Sequence, residues 1–187
     1  MVFCPDSYEN NSTNNTENFT NNTENSTNNT EASEDEQTVH FTFFVGYADS
    51  EIKINKLVNE CHGHALLDSG CSKTVAGSQW YEKYYDELSD FDKQSVSETS
   101  SSKSSFKFRD GVTKKSIKRV TMPCYIDGKR ATIESDIVDS NIPLLLSKKS
   151  MQKVKMTIDF GKDVAVIGES EIELVNSNSG HYLLPLF

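Results

Sequence analysis

The sharpest chemical feature of this sequence is an acid that directly follows a short apolar run. Residues 65–67 are apolar, Asp68 comes next, and Ser69 and Gly70 follow at once. A carboxyl at the end of a buried strand is costly to ionise, so it shifts its pKa or finds partners. Gly70 lets the backbone turn sharply, and the Ser69 hydroxyl can hydrogen-bond locally. From these residues alone, an aspartate that caps a turn remains the alternative interpretation.

Cysteine and histidine side chains near this segment raise the question of a metal site. Cys61, His62, His64 and Cys71 lie within eleven residues, and zinc prefers such ligands in tetrahedral sets. There is no C-x-x-C and no zinc-knuckle spacing, and on a strand the two histidines would project from one face and Cys61 from the other. A nucleophilic Cys71–His64 pair has no recognisable Asn or Asp to orient it. We therefore expect no metal and no cofactor.

A basic stretch in the middle of the chain makes nucleic acid a second candidate partner. Residues 103–130 carry nine Lys or Arg against Asp110 and Asp127, a local balance of +7, and such a stripe could follow phosphates. No helix-turn-helix or ribonucleoprotein motif accompanies it, and Phe106 and Phe108 alternate as core residues of a strand do. We favour a solvated basic face, with nucleic-acid binding as the less favoured alternative.

The acidity of the chain belongs to its N-terminal tail. The chain has 28 acidic and 19 basic side chains, a net charge of −9; residues 1–36 hold eight acids and no Lys or Arg, which leaves 20 against 19. Residues 10–31 are almost entirely Asn, Thr, Ser and Glu, in a seven-residue repeat. Such a segment buries too little apolar surface to offset the entropy of ordering, so residues 1–38 are predicted to be a disordered tail. Its N-x-[ST] patterns could mark a glycan-bearing stalk, but Asn/Thr low complexity generates them by chance.

The sequence predicts neither a membrane segment nor secretion. No apolar run approaches the ~20 residues that span a bilayer, and residues 1–5 lack the basic start and apolar stretch of a secretory signal. We expect a cytoplasmic protein without a membrane partner. All four cysteines are then expected to be reduced thiols: Cys4, Cys61, Cys71 and Cys124.

The residues from 39 to 187 are typical of a mainly β domain with two short helices. Ser78 is predicted to cap a helix through Leu88, Ser147 to cap a helix over residues 148–154, and residues 95–105 to form a mobile surface loop. Met156, Ile158 and Phe160 are expected to alternate inward on a strand. Other strands are predicted at 41–45, 65–67, 106–108, 120–126, 131–133 and 142–146, and around Val164, Ile172 and Leu183, with hairpin turns at Asp110-Gly111 and Asp127-Gly128. This pattern favours a barrel-like fold.

Residues 66–72, Leu-Leu-Asp-Ser-Gly-Cys-Ser, resemble the active-site loop of retroviral-type aspartic proteases. The resemblance continues in order through residues 144–147, 151–160 and 180–186, and it is closest to the proteases of copia-type retrotransposon polyproteins. It covers roughly residues 39–187 and implies a retropepsin-like closed barrel of short strands with one or two short helices. One departure is that these proteases usually carry Gly after the apolar pair, where this chain has Leu146-Ser147. The departure leaves open what packs behind the Asp68 loop.

The resemblance implies an aspartic endopeptidase that works as a homodimer. The chain has a single Asp-Ser-Gly, so Asp68 would be half a site and would meet Asp68 of a second copy. The two carboxyls would share one proton, activate a water and hydrolyse a peptide bond of a polypeptide substrate. By the same analogy, Ser69 would hydrogen-bond across the interface and Gly70 would allow the two loops to approach closely.

The same resemblance calls for a hairpin flap that covers the substrate and excludes water. Residues 106–111 are the candidate, and Phe108, Asp110 and Gly111 are the expected substrate-binding residues, with the peptide extended beneath them. An ordinary surface hairpin is the alternative. For the whole domain, the expected role is processing of a retrotransposon polyprotein; the alternative is a catalytically inactive domain that serves in dimerisation or peptide binding.

Overall fold

The computed structural model describes residues 56–100, 103–108 and 111–187, together with the backbone of residues 38–40. The predicted tail up to residue 37, the predicted strand at 41–45 and Asp110 lie outside the described residues. Within the described ranges, no helix is long and apolar enough to cross a bilayer.

The described chain is mainly β, which confirms the predicted class. Its short helices are α1 (Ser78–Glu87), α2 (Asp90–Lys93) and α3 (Lys148–Lys153), besides a helical turn at 56–60. Its strands are β1 (Thr38–His40), β2 (His64–Asp68), β3 (Val75–Gly77), β4 (Ser97–Ser100), β5 (Ser105–Lys107), β6 (Thr113–Ile126), β7 (Lys129–Val138), β8 (Leu145–Ser147), β9 (Thr157–Asp159), β10 (Val164–Ile167), β11 (Ser170–Glu173), β12 (Val175–Asn176) and β13 (Tyr182–Pro185).

The strands form a ten-stranded sheet and a separate three-stranded sheet. The pairing of these strands does not show the closed barrel that was predicted. The large sheet runs β1-β5-β6-β7-β3-β8-β2-β13-β12, with β4 also paired to β6, and the small sheet runs β11-β10-β9. Strand β8 therefore lies between β2 and β3, although β2 and β3 are consecutive in the chain. Because of this insertion, the loop that joins β2 to β3 passes over the end of β8.

The β6–β7 hairpin supports one side of the main core. Asp127 and Gly128 both have positive φ, 52° and 68°, as a two-residue type I′ turn requires, so the predicted hairpin is confirmed. Trp80 and Tyr84 of α1 stack with ring centroids 4.9 Å apart and are fully buried. The Tyr84 hydroxyl donates to the Pro123 carbonyl at 2.9 Å. The apolar face predicted for α1 thus packs against this hairpin.

The two predicted helix caps have different outcomes. Ser147 caps α3 as predicted, because its side chain accepts the Ser150 N–H. The prediction for Ser78 is wrong: Ser78 is the first residue of α1, and Gly77 is its N-cap without a side-chain bond. A Cβ on Gly77 would lie 2.1 Å from the Ser140 carbonyl oxygen, so close backbone packing requires glycine at this position.

Two further expectations are corrected. Residues 97–100, predicted to lie in a mobile loop, form β4, since their backbone pairs with β6 although all four residues are exposed. Phe160, predicted to point inward, is 72% exposed and lies beyond the end of β9, beside Tyr182 at 5.7 Å between ring centroids. In both places, pairing between strands determines the structure more strongly than the local residue pattern does.

Candidate active site

Asp68 is the last residue of β2, a strand that is paired on both sides. The parallel neighbour β8 places Ser147 opposite Asp68, and the antiparallel neighbour β13 places Leu183 opposite Leu66. Leu66 is fully buried, whereas Asp68 is partly buried. A strand paired on both sides is held firmly, so the carboxyl is presented from a rigid part of the sheet.

The Asp68 carboxyl is held by its own loop and is hard to ionise. Its Oδ1 accepts the Gly70 N–H at 2.8 Å. Burial raises the pKa of Asp68; hydrogen bonds from the Gly70 and Cys71 backbone and the charge of His181 act in the opposite direction. The net shift is upward, because loss of hydration outweighs these contacts. A carboxyl that keeps its proton more tightly than usual is suited to exchanging a proton with a substrate.

The loop after Asp68 is pinned to α3 through Cys71. The Cys71 N–H donates to the Asp68 carbonyl at 3.2 Å, and the Cys71 carbonyl accepts the Lys148 N–H at 3.1 Å. The thiol donates to the Lys73 carbonyl at 2.6 Å and is buried, which raises the pKa of Cys71 to about 12. His64 directs its Nδ1 to the His62 carbonyl, 2.7 Å away. A neutral thiol of this kind is a poor nucleophile, so Cys71 serves the shape of the loop.

A buried cluster of hydroxyls lies behind the loop, where glycine was expected from the resemblance. Thr74 Oγ1 accepts the Ser147 N–H at 3.1 Å, donates to Ser147 Oγ at 3.2 Å and lies 2.8 Å from Ser150 Oγ. Thr74 and Ser147 are 6% and 1% exposed. The space behind the loop is therefore filled by hydrogen-bonded side chains that join the loop to β8 and α3.

Ser69 and Gly70 lie at the surface beside Asp68. Both residues are exposed, and within the described part of the chain the Ser69 hydroxyl has no hydrogen-bond partner. The structure thus brings the three predicted catalytic residues together, with an unused donor at the outer edge of the loop.

The other acids that a catalytic pair could recruit are engaged elsewhere. Asp136, buried on β7, accepts from Arg119 Nε at 3.2 Å and from Ser116 Oγ at 3.2 Å. Asp159 accepts the Gly161 N–H at 2.9 Å in the turn after β9. Neither carboxyl is free to act with Asp68 in the same chain.

The candidate flap forms the predicted hairpin. Phe108 and Val112 close the turn through the Phe108 N–H and the Val112 carbonyl at 3.0 Å, and Gly111 donates to the Phe108 carbonyl at 2.9 Å. Gly111 has φ +81°, a conformation that glycine adopts readily. Asp110 lies outside the described residues.

The base of this hairpin is tied to the Asp68 region. Phe106 is fully buried in an apolar cluster with Leu66 and Cys71, and Phe108 packs partly buried against that cluster. Lys73 Nζ donates to Ser104 Oγ at 2.9 Å. The predicted substrate-binding residues Phe108 and Gly111 therefore lie on a hairpin rooted beside the loop that carries Asp68.

Several cations of the basic stretch have local partners. Lys118 pairs with Glu98 at 2.7 Å, and Lys114 donates to the Asp139 carbonyl at 2.7 Å. Further pairs are Arg119–Asp136 and Arg130–Asp92, each at 3.2 Å. The acids of these pairs lie on β4, β7 and α2, so part of the basic stretch is neutralised.

The predicted cysteine and histidine candidates have separate partners, although Cys61 and Cys71 share one buried apolar cluster. Cys61 is buried, His62 Nε2 lies 2.5 Å from Glu87 Oε1, and His64 contacts the His62 backbone. Among the described residues, no group of three or more His, Cys, Asp or Glu side chains is arranged to hold a metal ion.

The sequence does not single out His181, whose charge acts on Asp68, or Thr74, which bonds to Ser147 opposite Asp68. Thr74 lies two residues beyond the 66–72 segment and His181 lies in the segment 180–186, but no local pattern assigns either side chain its contact. Their position depends on pairing between strands far apart in the chain.

Comparison with known proteins gives a distant similarity. Neither a protein-family model nor a curated protein sequence matches the chain. Among solved structures, the chain is similar to the retroviral protease-like domain of Ddi1 from Leishmania major, at 13% identity and a TM-score of 0.43, over 61% of this chain and 85% of that chain. Such values are too low to transfer an activity, so the function proposed below rests on the geometry around Asp68.

Proposed function

We propose that this protein is an aspartic endopeptidase whose active site forms between two copies of the chain. The observation that carries the proposal is the partly buried Asp68 carboxyl, whose pKa is raised by burial, at the end of a strand paired on both sides. Beside it, the exposed Ser69 and Gly70 leave the loop open to a second copy. This arrangement supports a site that one chain provides only in part.

In the proposed dimer, Asp68 of each copy contributes one carboxyl to a pair. Two carboxyls at hydrogen-bonding distance cannot both ionise cheaply, so they hold one proton between them. The ionised carboxyl takes a proton from water as the water oxygen attacks the peptide carbonyl carbon. The protonated carboxyl donates a hydrogen bond to the developing oxyanion, and a proton then passes to the nitrogen as the C–N bond breaks. The products are a carboxylic acid and an amine.

The substrate is proposed to bind as an extended peptide beneath the β5–β6 hairpin. Phe108 and Gly111 lie toward its tip and Val112 is 48% exposed there, so apolar contact is available to a peptide. Hairpin closure would exclude water from the carboxyl pair. The wider role in this proposal is processing of a copia-type retrotransposon polyprotein in the cytoplasm.

The first experiment compares the wild-type chain with Asp68→Asn in cleavage of a mixed peptide library at mildly acidic pH. Asp139→Asn is the matched control, because Asp139 is an exposed aspartate in the bend that follows β7. We expect Asp68→Asn to lose all cleavage and Asp139→Asn to keep it. Activity of the wild type should rise faster than linearly with enzyme concentration when the dimer is scarce.

Mixing the two chains tests the shared site directly. A threefold excess of Asp68→Asn leaves about a quarter of the wild-type chains in wild-type dimers, so cleavage should fall about fourfold if the copies pair at random. Cleavage that persists in Asp68→Asn, or that ignores the excess of variant, would refute the proposal. A folded, dimeric wild type that cuts nothing across the acid and neutral range would favour the catalytically inactive alternative.

The hairpin is tested separately through the substrate affinity. Phe108→Ala should raise KM more than it lowers kcat, because the ring is proposed to contact the bound peptide. Phe91→Ala is the control, since Phe91 is 68% exposed and its ring lies against Arg130 on another part of the surface. Equal kinetics for the two variants would remove Phe108 from the binding site.

A further inference from the structure

His181 lies across the sheet from Asp68. Strands β2 and β13 are antiparallel, with Leu183 opposite Leu66. His181 directly precedes β13, and the same register, continued two residues beyond the last pair, would place it opposite Asp68. Directly opposed residues of an antiparallel pair have Cβ atoms about 4.5–5.5 Å apart, which is within the range of a direct electrostatic interaction.

The two side chains also share one face of the sheet. Leu66 and Leu183 belong to the same buried cluster, whereas Leu67 and Tyr182 pack against the other cluster. Because side chains alternate along a strand, Asp68 falls on the face of Leu66 and His181 on the face of Leu183. The carboxyl and the imidazole are therefore on the same side.

The turn before β13 orients the imidazole. His181 Nδ1 lies 2.9 Å from Ser179 Oγ, and the His181 N–H donates to Ser177 Oγ at 2.9 Å. Gly180, with φ +79°, closes the turn by donating to the Ser177 carbonyl at 2.9 Å. A ring held through backbone and side chain keeps its distance to the neighbouring strand.

Electrostatics agree with this placement. The charge of His181 lowers the pKa of Asp68 against the upward effect of burial. Ser147, which faces Asp68 from β8, carries no charge. The titratable groups on the surrounding elements are Cys71, Lys73 and Lys148 around the loop and Glu60 against the 177–180 turn.

Three of these groups are occupied, whereas Lys148 is an exposed cation that follows Ser147. The Cys71 thiol is buried and neutral, and Lys73 donates to Ser104. Glu60 accepts from both the backbone and the side chain of Asn178. His181 is thus the basic side chain that the extended β2–β13 register aligns with Asp68.

We propose that His181 is a positioning residue for Asp68: its imidazolium stabilises the carboxylate and so sets how far into the acid range the site stays competent. The inference rests on the proposed protease function for its role in cleavage, while the coupling between the two side chains exists without it. A cation beside a carboxylate favours its ionised form. Without that neighbouring charge, the Asp68 pair takes up its second proton at a higher pH. Activity is then lost at a higher pH as the solution is made more acidic.

The experiment follows both the Asp68 carboxyl and the cleavage rate. Carbon-13 NMR of the side-chain carboxyl gives the titration of Asp68 in the full chain, and the pH profile of kcat/KM gives the acid limb. The variants are His181→Gln, which removes the charge, and His181→Lys, which keeps a cation. His62→Gln is the control, because His62 lies against Glu87 instead of Asp68.

In His181→Gln we expect the Asp68 titration and the acid limb to move to higher pH, with a loss of about three- to tenfold in kcat/KM at a fixed pH on that limb. His181→Lys should restore both toward the wild type, and His62→Gln should change neither. An Asp68 titration that is the same in His181→Gln and wild type overturns the inference. Should His181→Gln fail to fold, a raised Asp68 titration in His181→Lys overturns it equally.

The two proposals fail in different ways. If no variant cleaves peptide but the Asp68 titration moves in His181→Gln, the protease function is refuted and the coupling is confirmed. If the wild type cleaves through Asp68 while His181→Gln leaves the titration and the acid limb unchanged, the protease function stands and His181 has no part in it.

Discussion

Replacing Thr74 by valine tests whether the hydroxyl cluster holds the Asp68 loop in place. Valine has nearly the shape of threonine but cannot accept the Ser147 N–H that now lies 3.1 Å from Thr74 Oγ1. Ser147 is 1% exposed, so water cannot replace the lost acceptor without opening the fold. An unsatisfied buried donor costs about 1–3 kcal/mol, and we expect Thr74→Val to lower the free energy of unfolding by about 2 kcal/mol.

Thr74→Ser is the matched comparison, because it keeps the hydroxyl and removes only a methyl group. A buried methyl group is worth about 1 kcal/mol, so the serine variant should be the more stable of the two. The assay is urea unfolding at one protein concentration, with equal m-values as the condition for comparison. In a thermal scan, the expected loss for valine corresponds to about 4–8 °C.

The relative stability of Thr74→Val and Thr74→Ser distinguishes hydrogen bonding from packing as the interaction that holds the loop. If Thr74→Val is as stable as the wild type, or more stable than Thr74→Ser, then packing and not hydrogen bonding holds the loop to β8. In the proposed protease dimer, Thr74→Val should also lower kcat while Thr74→Ser retains it, because Ser147 faces Asp68 across the β2–β8 pair.

Three further outcomes follow from the structure. Gly77→Ala should lower the free energy of unfolding by about 3 kcal/mol, because the new Cβ would lie 2.1 Å from the Ser140 carbonyl oxygen. Gly128→Ala should lower it by only about 1 kcal/mol, because its Cβ meets no atom within 4 Å and only the positive φ of +68° is unfavourable. Equal losses for the two variants in urea unfolding would contradict this explanation. At neutral pH, monomeric Asp68→Asn should unfold at a higher urea concentration than the wild type, because the raised pKa of Asp68 means that folding disfavours its ionised form. This difference in stability should shrink as the pH falls toward the ordinary Asp pKa of about 3.9 and vanish below it. A difference that does not depend on pH would contradict this explanation. Burial raises the pKa of three cysteines to about 12: Cys61, Cys71 and Cys124. Their thiols should be labelled slowly in the folded chain at neutral pH and quickly in urea. Rapid labelling of the folded chain would show that they are accessible.

Local chemistry was sufficient to predict the turns and caps that depend on neighbouring residues. Asp127-Gly128 forms the two-residue turn between β6 and β7 because both residues tolerate positive φ. Ser147 caps α3 because its hydroxyl reaches a backbone N–H three residues on. Gly111 ends the hairpin loop after Phe108 for the same conformational reason. In each case the partners are a few residues apart, so the pattern in the sequence contains the whole interaction.

The sequence by itself also determined where the candidate catalytic carboxyl lies: an apolar run must be buried, and Asp68 ends it. What surrounds that carboxyl was decided only by tertiary structure. The insertion of β8 between β2 and β3 brings Ser147 beside Asp68 and Thr74, and the β2–β13 register brings His181 to the other side. These contacts join residues more than 70 positions apart in the chain, with Thr74 and Ser147 separated by 73 positions. Pairing between distant strands depends on which edges and faces the whole fold leaves available, and no local pattern specifies that.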